Sequence, residues 1–205
     1  MKDVTLGIIG GKGRMGDWLR NQFEEFGLTV LIADQDTPLS ARDLGERCRV
    51  VIVSVPITVT EAVIAEVGPL MPEDSLLMDL TSNKTGPVEA MLRHSRSEVV
   101  GAHPLFGPRE DSIKNRHIVL CPGRGEHWLE WIKALFEEMG AIVKVISPDH
   151  HDRLMAAGPG HKGQSVGSRG AGRLFHDLLQ APQTSNSQDT SPRRRSHSSH
   201  SDTQP

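Results

Sequence analysis

Residues 6–20 read LGIIGGKGRMGDWLR: a short apolar run, three spaced glycines, then the start of an amphipathic pattern. Gly11, Gly13 and Gly16 stand at Gly-x-Gly-x-x-Gly spacing between a strand-like and a helix-like segment, and that context gives the spacing its meaning. The first glycine permits a tight turn, the second lets the backbone approach a pyrophosphate, and the third lets the helix pack closely on the strand. Arg14 and Met15 complete the first helical turn, whose free N–H groups would face the phosphates with the helix dipole favouring negative charge. By itself the triplet is a weak signal, because glycine turns also arise for backbone reasons alone.

A second feature supports it. The stretch TVLIADQD (29–36) ends its apolar run at Asp34, 34 − 11 = 23 positions after Gly11. That is where a dinucleotide fold places an acid on the adenine ribose hydroxyls. No Arg or Lys stands at Gln35 or Asp36, so NAD is preferred to NADP, whose extra phosphate Asp34 would repel. The plainer reading of Asp34 is a loop acid in a turn.

Outward from this unit, short β-branched runs alternate with longer amphipathic segments as far as residue 147. The runs are Val4–Ile9, 28–33, RVVIVSV (49–55), SLLMDL (75–80), EVVGA (98–102), HIVLC (117–121) and AIVKVI (141–146). Helices are expected at about 14–26, 58–67, 85–94 and 126–139. The last, HWLEWIKALFEEM, sets Trp128, Trp131, Ile132, Leu135 and Met139 on one side, a core face and not a ligand platform. Consecutive apolar positions suit strands covered on both faces. The pattern predicts an α/β fold over residues 1–150: a Rossmann-type, doubly wound, mostly parallel sheet.

In such a sheet the ligand crevice lies beyond the carboxyl ends of the strands. VSVPI (53–57) would put Ser54, Val55 and Pro56 along the cofactor's ribose and ring. DLTSNK (79–84) supplies Asp79, Thr81, Ser82 and Lys84, with Asp79 read as a cofactor contact and Ser82 as an aid to catalysis. AHPLFGP (102–108) supplies His103, whose imidazole titrates near working pH and suits a general base for a hydroxyl under oxidation. A lone histidine is more often structural, but Gly101, Pro104 and Gly107 around this one describe a rigid loop exposing one titratable group. Ser82 could bond the same hydroxyl and orient it.

Composition narrows the class. Lys and Arg total 23 against 26 Asp and Glu, interspersed over most of the chain, which leaves no footprint for nucleic acid or an anionic membrane. Cys48 and Cys121 form no Cys-x-x-Cys pair, so no metal site is expected, and both read as buried small hydrophobes in a reducing compartment. No leader-like start and no run of about 20 apolar residues is present. The expectation is a cytoplasmic protein.

In order along the chain, GIIGGKGRMG, VSVPI, DLTSNKTGPVEAML, GAHPLFGP and SPDHHDRLMA resemble the prephenate dehydrogenases of tyrosine biosynthesis, especially microbial forms. The resemblance covers about residues 4–156. It implies NAD-dependent oxidative decarboxylation of prephenate to 4-hydroxyphenylpyruvate, with His103 as the catalytic histidine and Ser82 as the serine that assists it. Arogenate as substrate, a cofactor-binding module without turnover, and an interaction protein acting through a basic tail stand as alternatives.

Members of that family continue after the HDRLMA segment with an all-helical domain that forms the dimer and holds the substrate carboxylates. Here residues 151–157 begin a helix, and Gly158, Pro159 and Gly160 would break it. Residues 158–205 are rich in Gly, Ser, Gln, Arg and Pro and are expected to be disordered, and PRRRSHSSH (192–200) reads as a solvated run. The family's dimer interface is thereby expected to be missing. So abrupt a change predicts a shifted reading frame or a truncated copy. Sequencing the DNA that encodes residues 150–170 checks this: an alternative frame should encode an amphipathic helical continuation, and two frames without one would discard the shifted frame.

Overall fold

The computed structural model describes residues 4–157, so the expectation for 158–205 lies outside the described residues. Seven strands and six helices follow one another: β1 Thr5–Ile9, α1 Arg14–Glu25, β2 Thr29–Ala33, α2 Ala41–Arg47, β3 Val50–Val53, α3 Ile57–Val67, β4 Leu76–Asp79, α4 Thr85–His94, β5 Glu98–Pro104, β6 His117–Arg124, α5 His127–Glu138, β7 Ile142–Val145 and α6 Pro148–Ala157. The sheet order is β2-β1-β3-β4-β5-β6-β7, the expected doubly wound arrangement.

All neighbouring pairs are parallel except β5 and β6, which run antiparallel through Pro104↔Ile118. The uniform run of βα units therefore breaks once. No helix lies between β5 and β6, and a parallel return would need a crossover, usually helical. Residues 105–116 form a strap instead.

Alternation along each strand feeds two apolar layers. Leu6, Ile8, Val50, Ile52, Leu76, Met78, Val100 and Leu120 pack with Phe23 of α1 and Phe136 of α5. Val51, Val53, Leu77 and Val99 pack on the opposite face with Leu44 of α2, Ile64 and Val67 of α3, and Met91 of α4. Helix α6 adds Leu154 and Met155 beside Val119, Cys121 and Ile146. Both cysteines are buried and free.

Element limits differ from the expected ones by a few residues, with two more substantial departures. Helix α2 was not anticipated, although Ser40 and Asp43 form a capping box in which each side chain satisfies the other's backbone N–H. Helix α6 starts at Pro148 rather than at residue 151, and proline suits a first helical position where no N–H is needed. Among the described residues no helix is long and apolar enough to cross a membrane.

Phe23 is fully buried and stacks on Phe136 with ring centroids 6.1 Å apart, joining α1 to α5 across one face of the sheet. Phe23→Ala is expected to lower the unfolding free energy by about 3–5 kcal/mol in urea titration. A loss below about 1 kcal/mol would mean that this layer collapses around the void.

Candidate active site

The parallel strands β1, β3, β4 and β5 all end on one edge of the sheet, and the order reverses between β1 and β3. A crevice at such a switch point is the ordinary ligand site of an open α/β sheet. The glycine turn leaves β1 and the Ser54–Pro56 segment leaves β3. Their closeness is visible at Gly10, where a Cβ would lie 2.4 Å from the Ser54 carbonyl oxygen and where φ is +85°, a conformation glycine adopts readily. Ser54 donates its backbone N–H to the Ile9 carbonyl at 2.8 Å. Ser54 and Val55 are half-buried, while Pro56 is exposed as the residue preceding α3.

A Cβ at Gly11 would stand 2.5 Å from Cβ of Ile32, and one at Gly16 would stand 2.3 Å from the Gly10 carbonyl oxygen. Both glycines are thus required for the helix to sit on the sheet. Gly13 is exposed and caps α1 without any side-chain hydrogen bond. The first N–H groups of the helix, on Arg14, Met15 and Gly16, have no carbonyl one turn earlier within it. Asp34 ends the neighbouring strand β2, its carboxylate accepting from the backbone N–H of Lys12 at 2.9 Å and of Gln35 at 2.8 Å. The turn reading and the ribose reading of Asp34 describe the same half-buried group. A bare turn, open helix amides and a carboxylate at the second strand end fit a dinucleotide.

Asp79 is placed differently from its expected role beside a cofactor. Its carboxylate is fully buried, accepting from Lys84 Nζ at 2.7 and 2.6 Å and from Thr81 N at 2.9 Å. Lys84 is equally buried, and its ammonium also donates to the Ala102 carbonyl at 2.9 Å. Burial pushes Asp79 up and Lys84 down, toward their neutral forms, and the attraction between them opposes both shifts. The pair explains Gly101: a Cβ there would meet Val88, Lys84 Cδ at 3.0 Å and Asp79 Oδ1 at 3.2 Å. Gly101 makes room for an ion pair, and it lies within β5 rather than in a loop.

His103 also lies within β5 and is half-buried, whereas the expected setting was an exposed loop. Its Nδ1 is 2.9 Å from Nε2 of His151 on α6. The Nδ1 of His151 is 2.8 Å from Asp152 Oδ1. Asp152 in turn accepts from the backbone N–H of Lys84 and of Thr85, both at 2.9 Å, at the start of α4. Burial raises the Asp152 carboxyl, but these bonds outweigh it and hold the group down at about 2. Burial first, then the repulsion that a protonated His151 would exert and that of the Lys84 ammonium, pushes His103 down to about 3. Burial likewise lowers His151 against the pull of Asp152.

Both imidazoles are therefore neutral at pH 7, and the chain of bonds sets their tautomers. An ionised Asp152 can only accept, so His151 carries its proton on Nδ1 and offers a lone pair at Nε2. His103 must then carry its proton on Nδ1, leaving Nε2 as the unprotonated, basic nitrogen. Ser82 is exposed, after β4 on the same edge of the sheet. The partner of the His103 ring is His151, a residue that sequence reasoning did not single out, although the consecutive His150, His151 and Asp152 in SPDHHDRLMA were its visible signal. Among the described residues no group of three or more His, Cys, Asp or Glu side chains converges as metal ligands.

Residues 26–145 match the family described as prephenate dehydrogenase, nucleotide-binding domain. The chain is 40% identical over 149 residues to a T-protein of Enterobacter agglomerans, covering 73% of this chain and 40% of that protein. It is 34% identical to a probable arogenate/prephenate dehydrogenase of Methanocaldococcus jannaschii, covering 75% and 39%. The chain thus spans about two fifths of the length of these curated relatives. Among solved structures, prephenate dehydrogenase from A. aeolicus in complex with hydroxyphenyl propionate and NAD+ aligns with a TM-score of 0.64 at 16% identity, over 86% of this chain and 83% of that one. An imine reductase from Myxococcus stipitatus in complex with NADP+ aligns at 0.61 and 20% identity, over 75% and 59%. At these identities the structural likeness speaks for the fold.

The two lowered histidines make stability depend on pH with a definite sign. Above the ordinary histidine value near 6.5 the folded and unfolded states bind the same number of protons at His103. As pH falls from 6.5 toward 3, the unfolded state takes up a proton that the folded state refuses, so stability falls. The melting temperature is expected to drop across that window, and to drop less steeply in His103→Asn. Parallel curves for the two proteins would contradict a buried neutral imidazole.

Proposed function

Because this chain belongs to the prephenate dehydrogenase family through its nucleotide-binding domain, we propose that it binds NAD across the glycine turn and serves the oxidative decarboxylation of prephenate to 4-hydroxyphenylpyruvate. Arogenate, named for the M. jannaschii relative, is the alternative substrate. The observation that carries the reading is His103 at the end of β5, its Nδ1 engaged by His151 and its Nε2 left basic. NAD in the A. aeolicus complex supports the choice of cofactor, as does the carboxylate of Asp34.

NAD, which the glycine turn and Asp34 would hold, would supply the hydride acceptor. His103 Nε2 accepts the hydroxyl proton of the substrate while hydride leaves the carbon that bears that hydroxyl. The carbon–carboxylate bond breaks, carbon dioxide departs, its electron pair completes the aromatic ring, and the proton returns from His103 to the ring oxygen to give 4-hydroxyphenylpyruvate. A base held near 3 is weak in the free site, so its role depends on what happens to the charge it gains. His151 can share that charge and Asp152, ionised behind it, stabilises it, as an oriented carboxylate does behind a catalytic imidazole. Ser82 orients the hydroxyl, and the first-turn amides of Arg14, Met15 and Gly16 hold the pyrophosphate. Positioning supplies most of the acceleration, since aromatisation drives the loss of carbon dioxide.

Adding prephenate to the NAD-loaded chain should form NADH. His103→Asn is expected to lower kcat by about 10²–10⁴-fold with NAD affinity nearly unchanged. Equal turnover by the variant would remove His103 from the chemistry. A cofactor-holding module without turnover is the other reading. NAD binding without any NADH from prephenate would select it.

A further inference from the structure

The strap that leaves His103 does not hang free. Three residues on, Phe106 meets Trp18 edge to face, ring centroids 5.1 Å apart at 65°. The Trp18 indole N–H donates to the Glu110 carbonyl at 2.6 Å. One helical turn later on α1, Gln22 Oε1 accepts the backbone N–H of Ile113 at 3.0 Å. Trp18, Gln22 and Ile113 are all buried, at 9%, 8% and 2% exposure. The strap is thus pinned at three places to one face of the helix whose first turn carries Gly16.

We infer that Trp18 and Gln22 are positioning residues which lock the dinucleotide-binding helix to the His103 strap, so that cofactor and base are held at a set separation. This rests on the function proposed above. Two features distinguish the contacts from ordinary core packing. Both hydrogen bonds satisfy backbone groups of an otherwise irregular segment, and at Ile113 a lost partner leaves a buried polar group unmet. They also join the two parts of the crevice that must stay in register for a hydride and a proton to leave one substrate carbon and its oxygen, a geometry in which an error of about 1 Å can cost about 100-fold in rate. Between His103 and Phe106 only Pro104 and Leu105 intervene, and Leu105 is itself held by its N–H to the His117 carbonyl at 2.9 Å. A shift of α1 is therefore passed to the imidazole with little slack.

The test is amide hydrogen exchange on the whole chain, with and without NAD, in the wild type and in two variants. Trp18→Phe keeps a ring against Phe106 but removes the N–H; Gln22→Met keeps volume but removes the acceptor. In the wild type, NAD should slow exchange both at residues 10–16 and, by about tenfold, at residues 105–113, which the glycine turn does not include. In either variant the turn should still respond and the strap should respond less. With prephenate, kcat should fall by about tenfold or more while KM for NAD holds. Protection of the turn without the strap in the wild type, or an undiminished strap response in both variants, overturns the coupling and leaves the NAD reading standing. No protection at the turn overturns both.

Discussion

One buried ion pair holds the working edge of the sheet together. Lys84 and Asp79 are fully enclosed, and two charges removed from water are seldom stabilising by their mutual attraction alone. Here the ammonium has three acceptors, both Asp79 oxygens and the Ala102 carbonyl, so its donors are satisfied. The pair ties the end of β4 to β5 one residue before His103. It also fixes the start of α4, where the backbone N–H groups of Lys84 and Thr85 converge on Asp152. Removing either partner would leave an uncompensated buried charge, a penalty of about 3–5 kcal/mol.

From that pair the rest of the site follows as a series of constraints. Asp152 is held by α4, orients His151, and His151 sets the tautomer of His103. The lysine charge also helps to keep both rings neutral. Parallel strand direction does the remaining work, because β1, β3, β4 and β5 deliver their following loops to the same edge however far apart they lie in sequence. Residues from four separate segments are thus delivered to one edge without any one segment being long.

Much of this was legible in the sequence where the signal is local. The glycine spacing, the apolar runs and the amphipathic helices depend on neighbours within a few residues, and they were read at nearly their observed limits. Chemistry that depends on distant partners was less visible. Asp79 reads as a crevice acid because it ends a strand, and only Lys84 folded back against it reveals that the carboxylate faces inward. His103 is recognisable in the sequence as a candidate site residue. Its setting is not, since it depends on His151, 48 residues away. The antiparallel β6 was hidden because a strand run carries no mark of direction. Helix α2 was missed even though its capping box was in view, since seven residues are too few to show a clear apolar stripe.

Strand β7 ends the sheet, and its outer row of backbone groups has no strand neighbour among the described residues. Ile142, 42% exposed, lies there two positions before Lys144, which puts both on the same face of the strand. A lysine on a border strand makes it costly for another molecule to add itself by strand pairing, because the ammonium would have to give up water. Lys144, remote from the crevice, thus guards this border of the sheet against strand addition.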